Sequence, residues 1–106
     1  MTKLEATLTD FVSRFRPEAA ADLSATYQLH LTGEGGGDWL MTIADRKCTL
    51  AAGCTPSPDV AITMTATDWL DLLAGRLDGY SAFYNGRIAV EGDLSLVLQL
   101  ESLFGF

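Results

Sequence analysis

The stretch Thr67–Leu100, TDWLDLLAGRLDGYSAFYNGRIAVEGDLSLVLQL, decides how the rest of the chain is read. It opens with an apolar helical run that stops at Gly75. A second short run carrying Tyr80, Phe83 and Tyr84 stops at Gly86. Glycine enters the left-handed conformation that ends a helix with the least strain, so both glycines read as helix stops. One alternating strand, Arg87 to Glu91, then passes through Gly92-Asp93 into a leucine-rich helix. Thr67 reads as the N-cap of the first helix, with Asp68 near its positive end and Trp69, Leu72 and Leu73 forming one apolar side. Every segment has apolar residues to bury, and none carries a recognisable catalytic set. The stretch belongs to a small domain built around an apolar interior, where a greasy ligand fits better than chemistry.

Working outward, Leu4, Leu8, Phe11, Val12 and Phe15 recur at helical spacing. They predict an amphipathic helix from about Thr2 to Arg16, ended by Pro17, which in turn opens a short helix over PEAAADL. From Ala25 the period changes to two. Tyr27, Leu29 and Leu31 alternate with Gln28, His30 and Thr32 in a half-buried strand. The run Thr32–Gly37 breaks it, and Trp39, Met41 and Ile43 alternate in the next strand. A turn at Asp45-Arg46 leads to a strand from Lys47 to Ala52. Gly53 to Asp59, with Pro56 and Pro58, is a loop, and Val60, Ile62 and Met64 mark a further strand. Three hairpin-like links in succession predict an antiparallel meander. Strands grouped together with helices at either end give an α+β fold with about five strands, mainly antiparallel, and helices packed on one sheet face.

A chain of 106 residues is long enough for one core, so residues 1–106 read as a single domain. Hydrophobic residues at 48% against 20% charged place it among globular chains and exclude disorder. No apolar stretch approaches the roughly 20 residues that span a bilayer, and Glu5 and Asp10 interrupt the N-terminus where a secretory signal would be apolar. The expectation is a cytoplasmic protein. Its net charge of -7 opposes binding to nucleic acid, whose phosphates need Lys and Arg to displace their counterions. The cations Lys3, Arg14, Arg16, Arg46, Lys47, Arg76 and Arg87 are dispersed along the chain. Cys48 and Cys54 would lie about 20 Å apart on one extended strand, too far for a disulfide, and read as free thiols.

The candidate motifs for chemistry fail one by one. Gly35-Gly36-Gly37 lacks the Lys-Ser/Thr of a phosphate loop and leads into a strand, so it reads as a flexible hairpin loop. His30 is the only histidine, falls on the polar side of its strand and has no metal-ligand company; neither do the cysteines. Ser13, Ser24, Ser57, Ser81, Ser95 and Ser102 sit in no nucleophile elbow. Asp68 and Asp71 read as a helix N-terminal charge and a solvated face. No cofactor, metal or catalytic residue is expected. The aromatics Trp69, Tyr80, Phe83, Tyr84, Phe104 and Phe106 exceed what docking helices on a small sheet requires. The tail Leu103-Phe104-Gly105-Phe106 either tucks over the core or closes a cavity.

The strand pair LHLTGEGGGDWLMTI, the run VAITMTATDWLDLLAGRL and above all AFYNGRIAVEGDLSLVLQL resemble the sterol carrier protein type-2 family of lipid-binding domains. The last carries Ala82-Phe83, Gly86-Arg87-Ile88, Val90 and Gly92-Asp93-Leu94 at the family's positions, and the resemblance covers about Ala25 to Leu103. It implies a sheet with helices on one face enclosing an apolar tunnel for a fatty acid, fatty acyl-CoA, sterol or isoprenoid. It also implies a non-catalytic carrier. By position, the tunnel falls to Trp69, Leu73 and Leu77, then Phe83 and Tyr84, then Leu96, Leu100, Leu103 and Phe104. Burying roughly 400 Å² of acyl chain at about 25 cal/mol/Å² is worth about 10 kcal/mol gross, enough for micromolar binding after immobilisation losses. The hydrophobic lipid is the expected partner, with a transient membrane or lipid-enzyme contact and a homodimer left open. The other open reading is an interaction or accessory module with a filled core.

Overall fold

Alternation of Tyr27, Leu29 and Leu31 with polar neighbours builds β1 (Ala25–Thr32) into the middle of a five-stranded sheet. The computed structural model describes residues 3–104, leaving aside the side chains of Lys3 and Glu101. On one side of β1 lies β2 (Gly37–Ala44), antiparallel, followed by β3 (Lys47–Ala52). On its other side lie β4 (Val60–Thr65) and then β5 (Ala89–Gly92), giving the order β3-β2-β1-β4-β5.

The pairing of β4 corrects the meander. β4 runs parallel to β1, with Tyr27 beside Val60 and Thr32 beside Thr65, so the β3–β4 link is a crossover and the sheet is mixed. Two contacts enforce this. The Asp59 carboxylate accepts hydrogen bonds from the Thr26 amide at 2.7 Å and its hydroxyl at 3.2 Å. The Asp59 amide donates back to the Thr26 carbonyl at 3.1 Å. These bonds pin the start of β4 beside the start of β1, at the end of the sheet away from where β3 finishes.

The crossover also buries Gln28, which sequence alternation places on the polar side. Its side chain is 1% exposed. Its amide nitrogen donates to the carbonyls of Trp39 at 3.0 Å and Gly53 at 2.9 Å, and its oxygen accepts from the Thr55 amide at 2.9 Å. A buried amide with its donors and acceptor used in this way fixes the loop on the sheet without a desolvation penalty.

The opposite sheet face carries α1 (Lys3–Ser13), α2 (Pro17–Ala20), α3 (Ala66–Leu73), α4 (Gly79–Tyr84) and α5 (Leu94–Phe104). Phe11 of α1 stacks on Phe104 of α5 with ring centroids 4.1 Å apart and meets Trp69 of α3 edge-on at 5.1 Å. Trp69 Nε1 donates to Thr7 Oγ1 at 3.2 Å, so three helices share one aromatic node. The Tyr27 hydroxyl, fully buried, donates to the Leu96 carbonyl at 2.9 Å and ties α5 to the sheet.

Helix ends follow local chemistry, with one displacement. α3 begins two residues early because β4 runs straight into it: Thr65, not Thr67, is the N-cap, and its hydroxyl accepts from the Asp68 amide at 3.0 Å. Asp78 caps α4 in the same way, through the Ser81 amide at 3.2 Å. Gly75 and Gly86 take left-handed φ values of 78° and 77°, as helix stops. Gly92 has a stricter reason to be glycine. Its φ is 105°, and a Cβ there would stand 2.5 Å from the Asp59 carbonyl oxygen. Asp68, read as a charge at the helix N-terminus, lies in the first turn of α3, where it is 6% exposed and paired with Arg87. Gly105 and Phe106, half of the predicted apolar tail, lie outside the described residues.

Candidate functional site

Between the helical face of the sheet and α3, α4 and α5 lies a cavity of about 910 Å³. Leu29, Met41, Ile62 and Met64 form its floor, one from every second position of β1, β2 and β4, and each is at most 5% exposed. Phe11 closes it on the α1 side. Trp69, Leu72 and Leu73 of α3 make one wall, and Val97 and Leu100 of α5 another. Tyr80, Phe83 and Tyr84 of α4, with Leu94 and Leu98 of α5, line it while remaining exposed, Tyr84 at 84% and Leu98 at 52%. The mouth therefore opens between α4 and α5 and is rimmed with apolar and aromatic side chains.

Charge is confined to the rim. Arg14 reaches the lining while holding Asp10 at 2.8 Å, and Arg76 does so while holding Asp71 at 2.9 Å. Asp78, capping α4, is the acidic member. A space of this size and lining matches pockets that bury most of a small apolar ligand, roughly 300–1,000 Å³ with a few polar groups for orientation.

Trp69, Leu73, Leu77, Phe83, Tyr84 and Leu100, all picked out in the sequence, line this cavity. Leu96, Leu103 and Phe104 do not. They are 8%, 1% and 2% exposed and belong to the packed core that anchors α5, with the Leu103 carbonyl accepting from the Arg16 amide at 2.8 Å. Phe104 is instead taken up by its stack on Phe11 of α1 and its contact with Phe15, and the Leu96 carbonyl is held by the Tyr27 hydroxyl of β1. The sheet floor and Phe11 are further lining that the family resemblance does not single out, although inward alternation of the strands and the apolar stripe of the first helix mark them as buried.

A second group lies on the other sheet face. Strand register sets His30 directly opposite Asp38, and His30 Nδ1 lies 2.8 Å from Asp38 Oδ1. The crossover loop brings Cys54 to the same carboxylate. Hydrogen bonds from His30 and Cys54 hold the Asp38 carboxyl below the usual carboxylate range. His30 and Cys54 are thus not solitary, as their sequence neighbours suggest. Both cysteines are free thiols, and burial pushes that of Cys48 up to about 11.

The family model for the SCP-2 sterol transfer family matches residues 6–105. The chain belongs to this family. Among curated proteins it is 30% identical over 104 residues to hydroxysteroid dehydrogenase-like protein 2 of Xenopus tropicalis, covering 96% of this chain and 25% of that protein. The chain thus spans about a quarter of that relative's length. Among solved structures, a double mutant of a Pseudomonas sec-alkyl sulfatase superposes with a TM-score of 0.85 at 19% identity, over 98% of this chain and 16% of that one. The palmitated sterol carrier protein 2-like 2 of Aedes aegypti gives 0.74 at 24% identity, over 96% and 93% of the two chains. These likenesses agree with the α+β fold. SCP-2 domains bind and transfer lipids, which places the chain in a lipid-binding class. Among the described residues no helix is long and apolar enough to cross a membrane.

Proposed function

We propose that this SCP-2 domain is a non-catalytic carrier that takes one linear acyl chain into the 910 Å³ cavity and presents its head group at the α4–α5 mouth. The observation that carries this reading is the division of the lining. Its floor is entirely apolar and buried, and its charged members, Arg14, Arg76 and Asp78, stand at the edge. An acyl tail lies in the apolar part, and a carboxylate at the mouth meets Arg76, just before α4, by exchanging with Asp71. A palmitated relative of the same fold supports the acyl assignment. The relatives that are named as dehydrogenase-like and sulfatase proteins, of which this domain matches a minor share, support presentation to an enzyme.

The deciding experiment is native mass spectrometry of protein purified from its own source, then of delipidated protein incubated with palmitate. A one-to-one adduct that survives gentle activation and is released into organic solvent supports the carrier. A clean unliganded mass after both treatments sinks it and leaves the filled-core interaction module.

A further inference from the structure

Away from the cavity, the β3–β4 crossover gathers three side chains of three different ligand types. We propose that His30, Asp38 and Cys54 form a binding site for one zinc-type divalent cation on the sheet face opposite the lipid cavity. Their donor atoms all lie within 4.8 Å of one another. In a tetrahedral zinc site, bond lengths of about 2.0–2.3 Å set donor separations of roughly 3.3–3.6 Å, so seating the ion needs side-chain movements on the order of 1 Å.

What makes the group a site is how its backbone is fixed. His30 and Asp38 are register partners on adjacent strands, so their Cα positions are set by the sheet. Cys54 lies on a loop, yet the residues on either side of it are both bonded to the buried Gln28 amide, through the Gly53 carbonyl and the Thr55 amide. The Gly53 amide also donates to the Asp38 carbonyl at 2.9 Å, closing the loop onto the strand that bears the carboxylate. A buried glutamine thus holds the thiol over the His-Asp pair, and the ligands are preorganised before any ion arrives.

The donor set selects the metal. One thiolate and one imidazole with a single carboxylate suit zinc, whereas calcium and magnesium take sets made wholly of oxygen. On binding, the thiol loses its proton to solvent, the proton that Nδ1 now donates to Asp38 leaves that nitrogen by exchange with solvent so that the neutral ring carries its proton on Nε2, and Nδ1, Oδ1 and Sγ turn to the ion in place of their present hydrogen bonds. Three protein ligands leave the fourth position to water. The proposal is independent of the lipid reading, since none of the three residues lines the cavity.

The test is titration of the reduced full chain with Zn²⁺ against a chromogenic chelator, and with Co²⁺ by absorption. One equivalent should bind. Co²⁺ should give a thiolate charge-transfer band together with the intense visible bands of tetrahedral coordination. Cys54→Ser should erase the charge-transfer band, and Cys54→Ser and His30→Ala should each weaken Zn²⁺ binding by about tenfold or more. Cys48→Ser should change neither reading. Both mutated ligands are at or near the surface, and circular dichroism verifies that the variants fold. A wild type without the charge-transfer band, or a Cys54→Ser protein that binds Zn²⁺ as tightly as wild type, overturns the site.

Discussion

Asp68 and Arg87, separated by 19 residues, meet in a forked ion pair with Arg87 Nη2 2.5 Å from Oδ1 and Nε 3.3 Å from Oδ2. The carboxylate side chain is 8% exposed and the guanidinium 50%. The pair ties the first turn of α3 to the residue that follows the Gly86 helix stop. It therefore fixes where α4 ends relative to α3, and both helices wall the cavity.

Removing the arginine leaves a buried carboxylate without its cation. Arg87→Met should cost on the order of 2–3 kcal/mol, below the full penalty of a wholly buried pair because the guanidinium is half solvated. In a urea-unfolding double-mutant cycle, adding Asp68→Ala should recover part of that loss. A strictly additive cycle would mean that the two side chains act separately.

Tyr27 gives the fold an alkaline limit. Burial first, then the charges of Asp93 and Asp59, push its hydroxyl from 10.0 to about 12. The folded state therefore keeps a proton that the unfolded chain releases, so this contribution is complete below pH 10 and is lost as pH rises from 10 to 12. Two pKa units amount to about 2–3 kcal/mol. Cys48 adds a similar loss that begins near pH 9, its thiol being pushed up from 9.0. Unfolding measured from pH 8 to 12 should show both slopes. Tyr27→Phe should remove the later one while lowering stability at neutral pH by about 1 kcal/mol, through the lost bond to the Leu96 carbonyl.

Much of this architecture is legible in the residues. The alternation of Tyr27-Leu29-Leu31 and Val60-Ile62-Met64 marks the strands, and Gly75 and Gly86 mark the helix stops, because these signals are local. The direction of β4 is not local. It depends on Asp59 finding Thr26, 33 residues away, which no periodicity announces. The same limit hid the Asp68–Arg87 pair and the meeting of His30, Asp38 and Cys54. Each needs the crossover or the sheet order before its members become neighbours. Within α5, the apolar surface is too broad for spacing alone to separate Leu100, in the cavity, from Leu103, in the core.

Those two leucines give a paired test of the cavity. Leu100→Asp puts a charge into the acyl path at a partly exposed position. It should abolish palmitate binding while far-UV circular dichroism stays unchanged, and Phe83→Asp should do the same from α4. Leu103→Ala should cost about 2–5 kcal/mol of stability, since that side chain is 1% exposed. The fraction that remains folded should bind palmitate within a few-fold of wild type. Undiminished uptake by folded Leu100→Asp would remove α5 from the binding wall.

The β2–β3 turn offers a stabilising change. Asp45 and Arg46 both take left-handed φ, 53° and 60°, at the two central positions of a tight hairpin. A turn of this hand favours Asp-Gly, and arginine there carries steric strain between Cβ and the backbone. Arg46→Gly removes the strain, roughly 1 kcal/mol, and gives back part of it through the greater freedom of glycine in the unfolded chain. The net gain should be about 0.5 kcal/mol, or a rise in Tm of about 2–4 °C for a domain of this size. Arg46→Ala removes the same charge and keeps the Cβ, so it should give no such rise. A gain in Arg46→Ala equal to that in Arg46→Gly would assign the effect to the side chain's charge and not to the turn.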